Sequence, residues 1–523
     1  MKRLSGIDPM FLYSETPSAP MEVAYACVFD PSTAPGGYSF DAVRAHVARR
    51  LPAEFRRRCV PVPLGLDHPR WVDDPRFELD DHLRRARLPR PGDVSDLAVL
   101  VADVMARKLD PDLPPWEMTV VEDLDDRKVG VIAKVHHSMI DGVSGSAILA
   151  KLLDAAPDGG ADPDADVFEQ PEAGAPDNPS AATMLRAAFP DVLAQPMRTI
   201  RAARELGRTT VRLARHVVTG GTAALSLPLG APPQFTRPLR AGRSVSFARL
   251  NMHDIGVLRE YSGVSVNDVV LAACAGALRS YLLAQGAQDH SPLIAVVPVS
   301  VRDPALHGDT GNRLSAMFVP LANDLTDPLD RLRSIAHACS TAKAQERSVG
   351  FGPLASAVAD AVPPAIARPA LRLGHQLGAV RHIRPGNLVV SNVPGAAFPL
   401  FFAGMRMLSV YPIGPVVDGV VLNITVQGYM DSLYVGLNAC AAAIPDTERL
   451  ARAVEDELSV LAKEAGEAGL SCAANLVARE DVRRPVRPLR PGSTGASEAP
   501  GAPGSAPPLV VGRSITFGVP SLR

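Results

Sequence analysis

The spacing of hydrophobic and polar residues divides the chain into strand-like and helix-like segments. Residues 131–135 (VIAKV) are a short, largely β-branched run typical of a strand. Residues 144–153 (SGSAILAKLL) begin with hydroxyl side chains suited to capping and continue with good helix formers, which predicts a helix. The residues between them therefore lie in a tight strand-to-helix connection, where a scaffold can aim side chains into a cleft.

The second half of the chain shows the same two kinds of pattern. Residues 267–282 (NDVVLAACAGALRSYL) predict a helix and residues 293–301 (LIAVVPVSV) a strand. Residues 422–427 alternate between apolar and polar side chains, and the alternation resumes at residues 433–437, which predicts a β-hairpin. Because a strand with one polar face is half exposed, we expect Asn423, Thr425 and Gln427 to face solvent or a cavity.

A basic amphipathic helix is predicted in the middle of the chain. Six arginines recur there at spacings of three and four, namely Arg198, Arg201, Arg204, Arg208, Arg212 and Arg215. Leu206, Leu213 and Val217 fall on the opposite side at 3.6 residues per turn, and Gly220-Gly221 ends the pattern. Two interpretations are open: a surface helix whose apolar face packs on the core, or a membrane-surface element whose arginines meet anionic headgroups.

Shifts in composition predict the domain organisation. Residues 154–177 are rich in Asp, Glu, Pro, Gly and Ala and contain no Lys or Arg, as expected of a solvated connector. Beyond about Glu464 the chain becomes rich in Pro, Gly, Ser and Arg, which predicts a disordered tail. We therefore expect an N-terminal half (1–153), a connector with the basic helix (154–243), a C-terminal half (244–463) and a tail (464–523).

Composition and charge narrow the classes of function. A chain of 523 residues with 46% hydrophobic content is long enough for two domains, and a net charge of −2 gives no overall attraction to nucleic acid. The six cysteines are scattered without CxxC spacing, which indicates incidental thiols in a reducing compartment. No secretory signal opens the chain and no run of about 18 apolar residues is present, so we expect a cytoplasmic protein that contacts membranes only from outside.

The strand-to-helix connection contains the heptapeptide His136-His137-Ser138-Met139-Ile140-Asp141-Gly142. Histidine can accept a proton near neutral pH and return it in the same cycle, so either imidazole is a candidate general base. A bare His-His pair is more often structural, but its spacing to Asp141 and Gly142 favours catalysis. Neighbouring histidines on a strand point to opposite faces and no HExxH sequence follows, which disfavours zinc. No GxSxG sequence is present, which disfavours an acyl-serine hydrolase.

The HHxxxDG pattern resembles the CoA-dependent acyltransferase superfamily, which includes chloramphenicol acetyltransferase and peptide-synthetase condensation domains. Surrounding blocks narrow the resemblance to the bacterial wax ester synthase/acyl-CoA:diacylglycerol acyltransferases. They include LSGIDPMFLYSETPSAPMEVAYACVFD (4–30), LDPDLPPWEMTVVEDL (109–124), VPVSVRD (297–303), VVSNVPG (389–395) and LNITVQGYMDSLYVGLNA (422–439). The blocks run in family order from Leu4 to about Leu461.

The resemblance implies a fold and a reaction. The fold is a two-domain α/β architecture of the chloramphenicol acetyltransferase type, with mixed sheets flanked by helices and an active-site channel between the halves. The reaction transfers a long-chain acyl group from acyl-CoA, as co-substrate, to diacylglycerol or a long-chain alcohol. No other cofactor or metal is implied. Peripheral contact with the inner face of the plasma membrane or with lipid droplets is expected.

Roles for single residues also follow from the resemblance. His137 would be the base, His136 would shape the loop, and Gly142 would permit its backbone conformation. Asp141 would be structural and would pair with an arginine, for which Arg302 is our candidate.

The source of the oxyanion donor stays open among further polar residues. Asn267 matches a family motif, but it is equally well explained as the N-cap of the following helix, with Asp268 in the first turn. Asn392 is a further polar group that could line the cleft or be a turn or strand residue.

Two segments depart from the usual family pattern. Glu22 stands where many members have histidine, and Pro114-Pro115-Trp116 replaces Pro-Leu-Trp. A tryptophan beside proline is more often a packing anchor than a ligand contact. Three alternatives stay open: an acyltransferase of the same superfamily acting on a polyketide, glycolipid or carrier-bound substrate, a non-catalytic lipid-droplet or membrane-binding homologue, and a peptide-bond-forming condensation domain.

Overall fold

The fold comes from a computed structural model that describes residues 1–139, 151–158, 179–218, 235, 237–286, 293–300, 314–349, 351–376 and 386–481. The chain divides into a large compact unit, Met1–Leu470, and a second unit, Ser471–Arg523.

The first part of the large unit contains short helices between strands. In chain order the elements are β1 (Lys2–Arg3), α1 (Asp8–Ser14), β2 (Glu22–Asp30), α2 (Phe40–Arg50), β3 (Arg57–Val60), β4 (Arg70–Asp73), β5 (Leu83–Gly92), α3 (Val94–Ala106), β6 (Trp116–Leu124) and β7 (Lys128–His136). A single turn of 3₁₀ helix, His137–Met139, follows β7.

The remaining elements begin with two consecutive helices. They are α4 (Ala181–Leu193), α5 (Gln195–Val218), β8 (Arg243–Asn251), α6 (Met252–Ser262), α7 (Val266–Ala284), β9 (Ile294–Ser300), β10 (Leu314–Pro320), α8 (Pro328–Val349), α9 (Phe351–Ala361), α10 (Pro364–Gln376), β11 (Leu388–Ala396), β12 (Phe401–Phe402), β13 (Met405–Ile413), β14 (Leu422–Tyr429), β15 (Ser432–Cys440) and α11 (Thr447–Asp481).

Two mixed six-stranded sheets carry the fold. The first has the order β12-β13-β2-β7-β6-β5 and the second β10-β9-β11-β14-β15-β8, while β1, β4 and β3 form a small separate sheet. In the first sheet only β5 and β6 run parallel; in the second, β11 is parallel to both β9 and β14. The first sheet therefore takes two strands, β12 and β13, from far along the chain.

Helix α7 lies at the centre of the hydrophobic core that includes the second sheet. Its residues from Asp268 to Leu278 are all buried, and its first turn is closed by a capping box between Ser265 and Asp268. It is the one helix of the described residues that is long and apolar enough to cross a membrane, yet 72% of its apolar stretch is buried inside the protein. Its apolar composition is thus explained by core packing.

Most of the predicted elements are confirmed. The 131–135 run lies in β7, residues 267–282 in α7 and residues 293–301 largely in β9, and the hairpin is β14–β15. The predicted helix over 144–153 lies mainly outside the described residues. Within the part that is described, Lys151 and Leu152 are helical. Helix α11 continues to Asp481, beyond Glu464 where we expected the tail to begin, because this stretch is still rich in helix-forming Ala, Leu and Glu.

The prediction that β14 has a half-exposed polar face is wrong with respect to solvent. Asn423, Thr425 and Gln427 are all buried. The chain that follows β13 crosses over this face, and Asn423 Nδ2 donates to the Pro415 carbonyl at 2.9 Å, while Asn438 Nδ2 donates to the Gly414 carbonyl at 2.8 Å. The polar side chains hold the crossing segment against the second sheet.

The basic helix is α5, but its apolar residues do not all face the core. The inward side carries Ala202 and Thr209, which are buried, and Arg198, which is 10% exposed at its side chain. Arg198 lies 3.5 Å from the buried carboxylate of Asp67, which also binds Arg3 at 2.8 Å. Leu206 is 55% exposed, so the first of the two interpretations, an apolar face packed on the core, does not hold at this residue. The inner face of α5 thus combines the small buried residues Ala202 and Thr209 with the ion pair of Arg198.

Candidate active site

The histidine turn lies at the end of a central strand of the first sheet. Strand β7 pairs with β2 on one side and β6 on the other, and every residue from Val129 to His136 is buried. The backbone N–H of His137 donates to the Met21 carbonyl at 2.8 Å, one residue before β2 begins. Both neighbouring strands therefore fix where the strand stops and the turn begins.

His136 is held as a neutral ring that shapes the turn. Its Nδ1 accepts hydrogen bonds from the Ser138 backbone N–H at 3.1 Å and from the Ser138 hydroxyl at 2.7 Å. An accepting Nδ1 places the ring proton on Nε2. Burial, and then the nearby His137 and Lys108, lower the pKa of His136 to about 3. These contacts hold the turn in place, and the supporting role of His136 in the reaction stays a prediction.

His137 lies against an aromatic ring. Phe11 of α1 stacks on the imidazole with 3.9 Å between ring centroids and 17° between planes. The Nδ1 atom is buried, and no other residue within the described part of the chain hydrogen-bonds to it. Burial lowers the pKa of His137 to about 4, and the ring's own backbone carbonyl partly opposes that effect. Since Nδ1 is buried, Nε2 is the candidate atom through which the unprotonated ring could accept a substrate proton.

A buried lysine lies two residues before the histidines. The Lys134 side chain is 0% exposed and donates to the carbonyl of Val104 at 2.9 Å and to that of Arg107, at the C-terminal end of α3. A cation there interacts favourably with the helix dipole and satisfies carbonyls that lack helical partners. Lys134 also lies 3.6 Å from the Glu117 carboxylate on β6. It thus joins α3 to the face of the sheet that carries the turn.

Glu22 is a further buried ionisable side chain near Lys134. It lies directly across from His136 in the β2–β7 pairing, and directly paired residues project from the same face of a sheet. One carboxylate oxygen accepts from the Leu109 N–H at 3.0 Å, while Oε2 has no partner among the described residues. Burial raises the pKa of Glu22 to about 7, although Lys134 opposes the shift. A carboxyl that retains its proton near neutral pH therefore lies beside the histidine turn.

The sequence pointed to some of these residues and not to others. Glu22 was noted as a departure from the family pattern, without a role. Lys134 was visible as a single charge within an apolar strand, a signal for a buried ion pair. Phe11 gave no signal, because its contact with His137 depends on tertiary structure.

Three of the predicted site residues, Asp141, Gly142 and Arg302, lie outside the described residues. Asn267, Asp268 and Asn392 lie on the second sheet and its helix α7, and within the described part of the chain none of them hydrogen-bonds to His137. Asn392 is exposed on β11, opposite Val426 of β14.

Asn267 is the second residue of α7. The N-cap is Ser265, so the interpretation of Asn267 as an N-cap is wrong, while the first-turn position of Asp268 is confirmed. Its Nδ2 is buried and has no partner within the described residues, so the group is free to donate a hydrogen bond. Asp268 accepts from both the N–H and the hydroxyl of Ser265, as a capping-box carboxylate does.

Trp116 is a packing anchor, as expected. It is buried, its Nε1 donates to the Phe55 carbonyl at 2.7 Å, and its ring stacks on His82 with centroids 4.5 Å apart. Five of the cysteines are free thiols, four of them buried. Among the described residues no group of three His, Cys, Asp or Glu side chains is placed to hold a metal ion.

Comparison with known proteins identifies the family. The wax ester synthase/diacylglycerol acyltransferase catalytic domain matches residues 4–270, and the C-terminal domain of the same family matches residues 310–462. A Mycobacterium tuberculosis protein named as a diacylglycerol O-acyltransferase is 35% identical over 462 residues, covering 85% of this chain and 87% of its own. A solved wax ester synthase/diacylglycerol acyltransferase from Marinobacter aquaeolei VT8 is 28% identical with a TM-score of 0.61, covering 89% of this chain and 100% of its own.

A more distant structure shares only the fold. The first condensation domain of the CDA synthetase is 17% identical with a TM-score of 0.54, covering 88% of this chain and 97% of its own. The architecture and the relatives define a CoA-dependent acyltransferase. Within that class, this chain belongs to the wax ester synthase/diacylglycerol acyltransferase family, which confirms the resemblance, the fold class and the ester-forming activity expected from the sequence.

Proposed function

We propose that this enzyme transfers a long-chain acyl group from acyl-CoA to diacylglycerol, and also to long-chain alcohols, with His137 as the general base. The observation that carries the proposal is the state of the His137 ring. Its Nδ1 is buried, Phe11 fixes its plane, and its lowered pKa keeps it unprotonated at neutral pH. A base must be unprotonated before it accepts a proton.

The reaction needs one proton acceptor that later becomes a donor. Nε2 of His137 takes the proton of the acceptor hydroxyl as its oxygen attacks the thioester carbonyl of acyl-CoA. The tetrahedral intermediate collapses with cleavage of the carbon–sulfur bond, and the leaving CoA thiolate takes the proton from His137. An ester and CoA-SH are the products, and no covalent acyl-enzyme is required.

The other site residues have proposed roles that surround this step. His136 holds the turn through Ser138. The unpartnered amide of Asn267 supports a role as hydrogen-bond donor to the developing oxyanion. We retain Asp141 paired with Arg302 as the element that orients the loop, and Gly142 as the residue that permits its backbone shape.

The family supports lipid substrates, and lipid substrates support a location at a membrane or lipid-droplet surface. The chemistry needs acyl-CoA and a hydrophobic alcohol, and no further cofactor. Both the acyl chain and the acceptor are lipids, so we propose that the enzyme works on the cytoplasmic side, in peripheral contact with the plasma membrane or with lipid droplets.

Parallel assays with different acceptors test this function. Purified protein is incubated with radiolabelled palmitoyl-CoA and either diacylglycerol or hexadecanol, and the products are separated by thin-layer chromatography. Labelled triacylglycerol and wax ester support the proposal. Transfer only from a carrier-protein thioester would instead assign the enzyme to carrier-bound substrates, and no transfer from any donor would favour a non-catalytic homologue.

A further inference from the structure

The surface beside the small sheet carries protruding apolar side chains. A turn at Pro63–Gly65 contacts both α4 and α10, and a Cβ added to Gly65 would lie 3.1 Å from the Ala365 backbone nitrogen. At the tip of this turn Leu64 has φ +59° and is 82% exposed. A branched side chain in the left-handed region costs free energy. The turn therefore holds Leu64 out of the core at a cost in conformational free energy.

The helices on either side of this turn continue the same surface. Phe189 and Leu193 of α4 are four residues apart and therefore share a face, and they are 60% and 64% exposed. Met197 of α5 is four residues further on and more than half exposed. On α10, Ile366 and Leu373 are seven residues apart and also more than half exposed. With Leu64, these residues form what we call the α4–α10 surface.

The inner faces of the same helices are already packed. Met184 and Ala188 of α4 bury against Val62, which precedes the turn. Arg198 of α5 lies 3.5 Å from Asp67 and 3.7 Å from Asp191. The inner face of α4 is therefore occupied, while Phe189 and Leu193 stay exposed on its outer side.

Charge around the α4–α10 surface is positive. The acidic groups on or next to these elements are already held by arginines: Asp67 and Asp360 bind Arg3, Asp191 binds Arg70, and Glu205 binds Arg208. Besides Arg208, which binds Glu205, six arginines described on these three helices are exposed, namely Arg186, Arg201, Arg204, Arg212, Arg215 and Arg372. Large apolar residues flanked by arginines are the composition of elements that lie in the headgroup region of a membrane.

We infer that the α4–α10 surface docks the enzyme on an anionic phospholipid surface, with Leu64, Phe189 and Leu193 entering the acyl region and the arginines contacting headgroups. The inference rests on the proposed function, since it brings a lipid-using enzyme to its substrates. Leu64 lies at the tip of its turn and is 82% exposed, which fits insertion into an interface that deforms around it. This mode of docking differs from docking through the arginine face of α5 alone, because the apolar side chains supply part of the binding.

Vesicle sedimentation tests this surface without reference to activity. The full chain is mixed with sucrose-loaded vesicles of phosphatidylcholine, with or without phosphatidylglycerol, and the bound fraction is measured. The variant combines Leu64→Asn, Phe189→Gln and Leu193→Gln; asparagine tolerates a positive φ, so the turn is preserved. We expect binding to the anionic vesicles to fall at least ~10-fold, and Arg201→Glu with Arg204→Glu to weaken binding in a salt-sensitive way.

A matched control removes three exposed apolar side chains from other helices. Val99→Gln on α3, Leu283→Gln on α7 and Val460→Gln on α11 should leave vesicle binding unchanged. Equal vesicle binding by the natural protein and the triple variant (Leu64→Asn, Phe189→Gln, Leu193→Gln) would overturn the inference. So would a natural dimer that the triple variant converts to a monomer while vesicle binding stays the same. Acyl transfer to hexadecanol dispersed in detergent should persist in the triple variant. Loss of transfer in the natural protein would count against the proposed function and not against this surface.

Discussion

Glu22 allows a direct test of the buried charges behind the histidine turn. Its carboxyl is fully buried, one oxygen accepts from Leu109, and the other has no partner among the described residues. Burial raises the pKa of Glu22 from 4.5 to about 7. The folded state therefore binds more protons than the unfolded state between these two pH values. This stabilisation is fully present below pH 4.5 and is lost as the pH rises through 7.

The substitution Glu22→Gln removes the titration while keeping the shape of the side chain. Glutamine stays neutral, so the variant does not lose stability as the pH rises. At about 1.36 kcal/mol for each pH unit between the two pKa values, the ionisation costs the natural protein about 3 kcal/mol at high pH. The advantage of the variant over the natural protein should grow by about 2–3 kcal/mol between pH 5 and pH 8.

Urea unfolding at the two pH values measures this difference. Glu122→Gln is the matched control, because its pKa is shifted in the opposite direction: burial works to raise it, but hydrogen bonds from Arg85, Tyr38 and Arg87 outweigh burial and lower it. That variant should therefore lose stability relative to the natural protein as the pH rises. If the free-energy difference between Glu22→Gln and the natural protein is the same at pH 5 and pH 8, Glu22 is not the buried protonated group described here.

Three further predictions concern the same region. Phe11→Leu removes the ring that stacks on His137, and kcat should fall about three- to tenfold with KM nearly unchanged in steady-state assays. Lys134→Met leaves the last carbonyls of α3 without a donor, and chemical denaturation should show a loss of about 3 kcal/mol; an unchanged midpoint would contradict the contacts given to Lys134. Burial lowers the pKa values of His68, His136 and His137 to between about 3 and 4, so the unfolded state takes up protons first, and thermal stability should fall as the pH drops from about 6.5 to 4.

Elements with a strong local pattern could be predicted from the sequence. Strand β7 and helix α7 follow from their runs of apolar residues, and the hairpin β14–β15 follows from strict alternation. The position of His137 at the end of a strand follows from the same patterns, since strand and turn are adjacent in sequence.

Features that depend on distant contacts could not be predicted. The polar face of β14 is buried because the chain after β13 crosses it, and no local pattern indicates that crossing. The ion pair of Arg198 on the inner side of α5 is made with Asp67, which is far from Arg198 in sequence. The register that places Glu22 opposite His136 likewise joins segments on separate strands. In each case the local sequence leaves the partner undefined.

The most direct test of the account is acyl transfer by His137→Ala beside His136→Ala. With radiolabelled palmitoyl-CoA and diacylglycerol, His137→Ala should lose at least ~100-fold in turnover while circular dichroism shows retained folding. His136→Ala should lose less, because its ring holds the turn through Ser138 and takes no proton from the substrate. Turnover by His137→Ala equal to that of the natural enzyme would contradict the role of His137 as the base.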